Sequence, residues 1–185
     1  MSDLLHTLGK FARLFDRLDI KYAIMGGWAV RHYGLPRPTY DVDFTIAIER
    51  GRLATLYEAA SAEGFSVAEP YLSGWVDSVG GMPVVKLRLY LQDRGIDVDL
   101  FLAESDYQRA LMARRRRDDL DGLAVWFVSP EDLILLKLIA ARPRDIGDIH
   151  DVLFMQGALD ASYMRSWAAI LGVSGKLEEI LAEAG

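Results

Sequence analysis

Apolar residues recur along the chain with two different spacings, which predicts that helices and strands alternate over much of its length. Residues 3–18 carry leucine and phenylalanine at helical spacing, so we predict an amphipathic helix there with one buried face. Short apolar runs predict strands at residues 21–25, 41–48, 65–67, 84–91, 96–102 and 123–128. Further helices are predicted at residues 28–33, 50–63, 104–114, 130–141, 145–155, 161–171 and 176–184.

Two local sequence signals predict where some of these elements begin or end. The polar stretch Gln92-Asp93-Arg94-Gly95 separates two apolar strands, which predicts a β-hairpin with its turn at these residues. Ser129-Pro130-Glu131-Asp132 predicts the start of a helix, because serine caps the first backbone N–H groups, proline is tolerated in the first turn and acids favour it.

The order of elements predicts an α/β (α+β) fold, with a small, mixed, mostly antiparallel sheet flanked by helices and a helical C-terminal part. The charged run from Arg114 to Asp121 is the nearest feature to a boundary. We therefore expect residues 1–113 to form an α/β core with its N-terminal helix, and residues 114–185 to form a mainly helical part packed on that core.

Composition narrows the class of protein. With 185 residues, 51% apolar and 26% charged, the chain has the make-up of a compact globular protein. Its net charge of −6 means that a nucleic-acid partner would need a local basic patch. There is no cysteine, which excludes disulfides and thiolate metal sites. The sequence shows no signal-peptide core and no apolar run of the roughly 18 residues that span a membrane, so we expect a cytoplasmic protein with no membrane partner.

Two Asp-Val-Asp triplets are the first candidate chemistry. Because side chains on a strand alternate between faces, Asp41 and Asp43 share one face, and Asp97 and Asp99 repeat the arrangement on a later strand. Clustered carboxylates destabilise a fold unless a cation neutralises them, and Mg²⁺ takes such oxygen ligands together with substrate phosphates. The alternative for either pair alone is the solvent face of an edge strand.

Gly26 and Gly27 are the second candidate feature, since they follow an apolar strand directly. Without side chains, the backbone there can approach a phosphate chain, and the N–H groups at the start of the next helix attract an anion. The alternative is a plain tight turn.

These motifs together resemble the polymerase-β-like nucleotidyltransferase superfamily. The chain reads Met25-Gly26-Gly27, thirteen residues, Asp41-Val42-Asp43, and a further Asp-Val-Asp on a later strand. The Gly-Gly-Trp-Ala run is similar to aminoglycoside 2″-type nucleotidyltransferases. Residues 129–133, Lys137 and residues 144–149 resemble small bacterial AbiEii-like nucleotidyltransferases, so the resemblance covers roughly residues 20–155.

The resemblance implies an enzyme of the EC 2.7.7 type, which binds ATP or another NTP and two Mg²⁺ ions. It would transfer NMP to a hydroxyl group of an acceptor and release pyrophosphate. Asp41 and Asp43 would hold the metal ions, and a third aspartate would bind one of them and help to activate the hydroxyl. Asp99 fits the family pattern better than Asp97, but the two share a face and the choice stays open.

Further residues gain candidate roles from the resemblance. Lys137 would contact the triphosphate, and its alternative is a surface lysine whose stem lies along apolar residues. Asp145 and Asp148 match acidic positions of the family, and their alternative is ordinary charge in the first turn of a helix. Arg37 and Thr39, just before the first aspartate pair, are candidates for contacting phosphate or orienting the loop, and their alternative is a solvated loop.

The hairpin adds two basic residues to the same region. Lys86 and Arg88 share a face of the strand that pairs with Asp99, so they are candidates for binding phosphate or an acidic acceptor.

The sequence does not identify the acceptor, which is a small molecule, a tRNA or a protein. A toxin-like enzyme with an antitoxin partner, a homodimer and a non-catalytic nucleotide-binding domain of the same fold all remain open.

Overall fold

The strands of the chain lie in one sheet. The computed structural model describes residues 2–91 and 94–184. Within them the strands are β1 (Lys21–Ile24), β2 (Asp41–Ala47), β3 (Phe65–Val67), β4 (Asp77–Val79), β5 (Met82–Leu91), β6 (Arg94–Leu102), β7 (Arg116–Leu120) and β8 (Leu123–Phe127).

Helices flank the sheet and form most of the C-terminal part. They are α1 (Ser2–Arg17), α2 (Gly26–Tyr33), α3 (Leu53–Ala62), α4 (Glu69–Leu72), α5 (Asp106–Arg114), α6 (Pro130–Ala140), α7 (Pro143–Gln156), α8 (Ala161–Leu171) and α9 (Ser174–Ala184). A short 3-10 turn at Arg50–Arg52 precedes α3. Among the helices of the described ranges, none has the length and apolarity needed to cross a membrane.

The sheet order is β3-β5-β6-β2-β1-β8-β7, with β4 paired to β5 beside this path. The pairs β2·β6 and β1·β8 are parallel, and the other pairs are antiparallel. This arrangement confirms the predicted α/β fold class, with its mixed, mostly antiparallel sheet and C-terminal helices.

Helix α1 covers one face of the sheet and leaves the other available for the site. Its buried Phe11 and Phe15 lie with ring centroids 5.8 and 5.2 Å from that of Phe44 in β2. Because neighbouring residues of a strand face opposite sides, Phe44 points away from the face that carries Asp43. The helical spacing read from residues 3–18 therefore places the apolar core behind the carboxylates.

Helix α6 runs through the interior, and nearly all of its side chains are buried. As predicted, Ser129 caps its start, and the Ser129 hydroxyl accepts the Asp132 N–H at 3.1 Å. It packs against α2, α7 and α8, so any polar residue that it carries must find partners inside the protein.

The charged run after α5 differs most from expectation. Residues Arg116–Leu120 form the edge strand β7, which pairs with β8 alone, so its charged side chains remain exposed to water. Strands β7 and β8 thus continue the sheet beyond residue 113, and the division of the chain there stays a prediction.

The predicted hairpin is longer than the sequence indicated. Arg94 and Gly95, which we assigned to its turn, belong to β6 and pair with Leu91 and Tyr90. The other two predicted turn residues, 92 and 93, lie outside the described residues. Strand β4 and helix α4 were not predicted at all.

Candidate active site

The two glycines after β1 lie against the predicted metal ligands. Gly26 has φ +61°, and a Cβ built on it would overlap the carboxylate of Asp43. A Cβ on Gly27 would overlap the hydroxyl group of Thr39. Both positions therefore need glycine for space, and Gly26 needs it for its backbone conformation as well.

Helix α2 begins at these glycines. Met25, at the N-cap, provides no side-chain hydrogen bond to the first turn of α2. The backbone N–H of Met25 donates to the carbonyl of Asp43 at 2.9 Å, which fixes the turn to β2. The first N–H groups of α2 are therefore placed beside the carboxylates, where they favour an anion such as phosphate.

One row of charged residues crosses three strands on the face opposite α1. In the sheet register Asp43 of β2 lies opposite Asp99 of β6, and Asp99 lies opposite Lys86 of β5. The Lys86 Nζ is 2.7 Å from Asp99 Oδ2. The middle carboxylate of this row therefore already has a cation as its partner.

A second row runs parallel to the first, two residues further along β5. Asp41 lies opposite Asp97, and Asp97 lies opposite Arg88, whose Nε is 2.8 Å from Asp97 Oδ1. The Thr39 hydroxyl donates to Asp41 Oδ1 at 3.0 Å. The side chains of Asp97 and Arg88 are about half exposed, at 53% and 48%, so this ion pair is largely solvated.

Asp43 carries the most perturbed carboxyl group of the two rows. Burial raises its pKa, and the neighbouring charges of Asp41 and Asp99 raise it further, to about 7. A carboxylate in such a place favours either a proton or an added cation.

The residue types fit Mg²⁺, although the side chains do not yet converge on one point. Among residues 2–91 and 94–184, no three acidic or histidine side chains form a group that could hold a metal ion. Asp99 is paired with Lys86, and Asp41 accepts a hydrogen bond from Thr39. The backbone register places oxygen ligands side by side, as Mg²⁺ requires, and side-chain rotation would have to bring them together.

A buried ion-pair network lies next to these rows. Lys137 Nζ is 2.8 Å from Asp145 Oδ1 and 2.6 Å from Asp148 Oδ2. Arg37 binds both oxygens of Asp148, at 2.6 and 2.8 Å, and Arg142 Nε is 2.8 Å from Asp145 Oδ2. Lys137 is only 4% exposed and the two aspartates 0% and 3%, so the surface-lysine alternative is wrong. Asp145 does act in the first turn of α7, where it accepts the Arg142 backbone N–H at 3.0 Å, but it is buried and ion-paired as well.

The network holds its carboxylates ionised. Burial opposes the charged form of both aspartates, but hydrogen bonds from Arg142 and Lys137 outweigh it and lower the pKa of Asp145. Those from Arg37 and Lys137 lower the pKa of Asp148 in the same way.

A cleft of about 350 Å³ brings most of the predicted site residues together. Its lining includes Gly26, Gly27, Arg37, Thr39, Asp41, Asp43, Lys86, Asp99 and Lys137. Asp97, Arg88, Asp145 and Asp148 lie outside the lining. A larger groove of about 570 Å³ lies between α3 and α4, and none of the predicted site residues lines it.

Sequence analysis assigned no role to three polar residues of the lining. Tyr40, 81% exposed, directly precedes the first aspartate pair, and Arg142 and Arg144 flank the proline that begins α7. Proximity to predicted site residues in the chain was the available signal for Tyr40 and Arg142. Arg144 also lies in the stretch 144–149 that carries the family resemblance, but it was given no role of its own.

Comparison with known proteins supports the resemblance. A family model described as "Nucleotidyltransferase of unknown function (DUF6036)" matches residues 3–171. The comparison with curated proteins gives no match.

Solved structures share the fold. The antibiotic-resistance factor ANT(2″)-Ia in solution has a TM-score of 0.59 and 18% identity, covering 98% of this chain and 96% of that one. An antigenic nucleotidyltransferase-like protein from Paracoccidioides brasiliensis has a TM-score of 0.57 and 23% identity, covering 98% and 93%. The lincomycin-bound lincosamide antibiotic adenylyltransferase LnuA has a TM-score of 0.50 and 14% identity, covering 78% and 93%.

Proposed function

The chain belongs to the DUF6036 family of nucleotidyltransferases, and from this premise we propose that it is a Mg²⁺-dependent enzyme that transfers NMP from an NTP to an acceptor hydroxyl. Pyrophosphate is the second product, as in the EC 2.7.7 type of reaction. The observation that carries the proposal is the sheet register. It places Asp41 and Asp43 beside Asp97 and Asp99, against Gly26.

The carboxylates have the metal-holding role in this proposal. Asp41 and Asp43 would hold the ions, with Asp99 as the third ligand, because its side chain lines the cleft whereas Asp97 is half exposed outside it. When bound, the ions would neutralise charge on the attacking and leaving oxygens of an in-line displacement. Asp99 would also orient the acceptor hydroxyl and draw its proton away.

The cationic side chains and N–H donors of the cleft suit the negatively charged triphosphate. The backbone of Gly26 and Gly27 and the first N–H groups of α2 would contact phosphate oxygens, with the Thr39 hydroxyl beside them. Lys137 uses two of its three N–H donors on carboxylates, so one donor is left for a phosphate oxygen. Arg37 is likewise a lining residue, held in place by Asp148.

The acceptor is open, and the structural neighbours suggest which classes to try first. LnuA is an antibiotic adenylyltransferase and ANT(2″)-Ia an antibiotic-resistance factor by their names. Antibiotics with hydroxyl groups therefore join tRNA and protein as acceptor pools. A toxin-like role with an antitoxin would show as growth arrest on expression that Asp43→Ala abolishes.

The decisive assay is pyrophosphate release with Mg²⁺ and each of the four NTPs, with and without pooled tRNA, protein extract, aminoglycosides and lincosamides. Release that depends on one acceptor pool and disappears in Asp43→Ala is the expected result. Equal release by wild type and Asp43→Ala would refute the proposal. NTP binding in calorimetry without release in any pool would instead favour a non-catalytic nucleotide-binding domain.

A further inference from the structure

Lys86 lies where an added cation would be expected. Its ammonium group is 2.7 Å from Asp99 Oδ2, in the row that continues to Asp43. Its side chain is 44% exposed and that of Asp99 is 20% exposed, so the pair lies at the mouth of the cleft rather than in the core.

Acidic residues of the neighbouring strands lie on both sides of Lys86. Asp99 and Asp43 lie on one side of it. On the other side Asp77 of β4 pairs with Val84 of β5, the residue two positions before Lys86 and on the same face. Burial lowers the pKa of Lys86, but Asp99, Asp43 and Asp77 outweigh it and raise that pKa, which keeps the ammonium group charged.

The Lys86–Asp99 pair also accounts for the incomplete convergence of the carboxylates. One Asp99 oxygen is engaged by the ammonium group, which draws the carboxylate of the third predicted ligand toward β5 and away from Asp41 and Asp43 on β2. A lysine in this place lets the fold carry clustered acids without a metal ion, because it supplies one positive charge within the row.

We propose that Lys86 is the internal counter-ion of Asp99 in the metal-free protein, and that a divalent cation binds to Asp41, Asp43 and Asp99 only when Lys86 releases Asp99. The inference rests on the proposed function, because it assumes that these carboxylates are metal ligands. Lys86 is thus a competitor of the metal ion and a positioning residue for Asp99.

Arg88 provides a matched control within the same strand. It lies two residues after Lys86 on the same face and pairs with Asp97 as Lys86 pairs with Asp99. It lies outside the cleft lining, whereas Lys86 is part of it. Competition for the third ligand therefore predicts different effects of removing the two cations, while a general loss of positive charge predicts similar ones.

The test measures Mn²⁺ binding to the full chain without nucleotide, by electron paramagnetic resonance and calorimetry. Lys86→Met should bind Mn²⁺ about ten-fold more tightly than wild type, since both the ion pair and the repulsion of the incoming ion are removed. Lys86→Arg should stay close to wild type and Arg88→Met should gain less than about three-fold. Because Lys86 is half exposed, circular dichroism should show a folded Lys86→Met protein.

A double-mutant cycle with Asp99→Asn separates competition for Asp99 from general electrostatics. In the Asp99→Asn background, Lys86→Met should raise Mn²⁺ affinity by no more than about three-fold, the part that lost repulsion alone supplies. The inference is wrong if Lys86→Met leaves the affinity unchanged or weakens it, if Arg88→Met gains as much, or if the full gain of about ten-fold survives Asp99→Asn.

The same titration distinguishes this inference from the proposed function. If wild type binds Mn²⁺, Asp43→Ala does not, and Lys86→Met binds it no more tightly than wild type, the metal site stands and only the role of Lys86 is refuted. Absence of Mn²⁺ binding in wild type and in Lys86→Met would refute the metal site and the inference together.

Discussion

Two groups of carboxylates lie beside one cleft, and they differ in the charged residues around them and in the direction of their pKa shifts. In the buried network, Lys137 and two arginines surround Asp145 and Asp148, and the pKa values of both aspartates are lowered. In the strand rows, burial and the neighbouring charges of Asp41 and Asp99 raise the pKa of Asp43 to about 7. The chain supplies a cation to both acids of the first group. In the second group it supplies Lys86 to Asp99 and Arg88 to Asp97, and Asp43 is left with room for a cation from outside.

The difference teaches how to separate a structural acid from a candidate metal ligand. Burial alone does not decide it, because Asp145 and Asp148 are more buried than Asp43. The partners decide it: each network acid is bound by Lys137 and by an arginine, whereas Asp43 lies opposite another acid, Asp99, across β2 and β6.

Breaking the network should have the largest effect on stability. Lys137→Met leaves Asp145 and Asp148 with one arginine each, and we expect the free energy of unfolding to fall by about 3–5 kcal/mol. Urea denaturation followed by circular dichroism measures it. In the same assay the half-exposed pair of Lys86 should cost about 1 kcal/mol or less when Lys86→Met removes it. A smaller loss for Lys137→Met than for Lys86→Met would contradict the comparison.

The third ligand can be identified by comparing two matched variants of β6. Asp99→Asn should lower the rate of nucleotide transfer about 100-fold or more, because it removes a metal ligand and the group that orients the hydroxyl. Asp97→Asn should stay within about three-fold of wild type, since its half-exposed pair with Arg88 lies outside the cleft. Transfer rates at saturating NTP measure both, and the reverse order would assign the role to Asp97.

The glycine turn offers a steric test of the same site. Gly26→Ala must place a Cβ against Asp43 at a positive φ, so we expect a loss of about 1–3 kcal/mol in the free energy of unfolding and loss of transfer activity. Gly147→Ala is the matched control, because Gly147 lies inside α7 and a Cβ added to it would enter open space. It should raise the free energy of unfolding by about 0.5–1 kcal/mol. A harmless Gly26→Ala would mean that the turn does not press on Asp43.

The pH dependence of stability should separate Asp43 from the network acids. A carboxyl group with a raised pKa contributes stability that is present below its unfolded value, about 4, and lost as pH rises to about 7. Asp43→Asn cannot lose that proton. With a chelator present, its Tm should therefore rise relative to wild type between pH 4 and 7, by about 3 °C or more, and the gap should then stay constant.

The network acids should behave in the opposite sense. Their pKa values are lowered, so the stability that they contribute is present above the unfolded pKa and is lost only as the solution becomes more acidic than about pH 4. A Tm of Asp43→Asn that fell relative to that of wild type as pH rose from 4 to 7 would contradict the raised pKa of Asp43.

The sequence by itself determined the local parts of this protein. The period of two along a strand puts Asp41 and Asp43 on one face, and Ser129 caps its helix as expected, because both depend on neighbouring residues alone. The predicted helix at 161–171 agrees with α8 in both of its bounds. The charged strand β7 was missed, since an exposed edge strand needs no apolar alternation and reads like a loop.

Tertiary structure decided which residues meet. Arg37 and Asp148 are 111 positions apart in the chain, and Lys137 reaches Asp148 only because α6 packs against α7. The pairing of β2 with β6 sets Asp43 opposite Asp99, and a shift of one residue would have turned one pair of acids to the other face of the sheet. Residue types and spacings are local properties that a sequence displays, whereas register and helix packing are set by burial of the whole core.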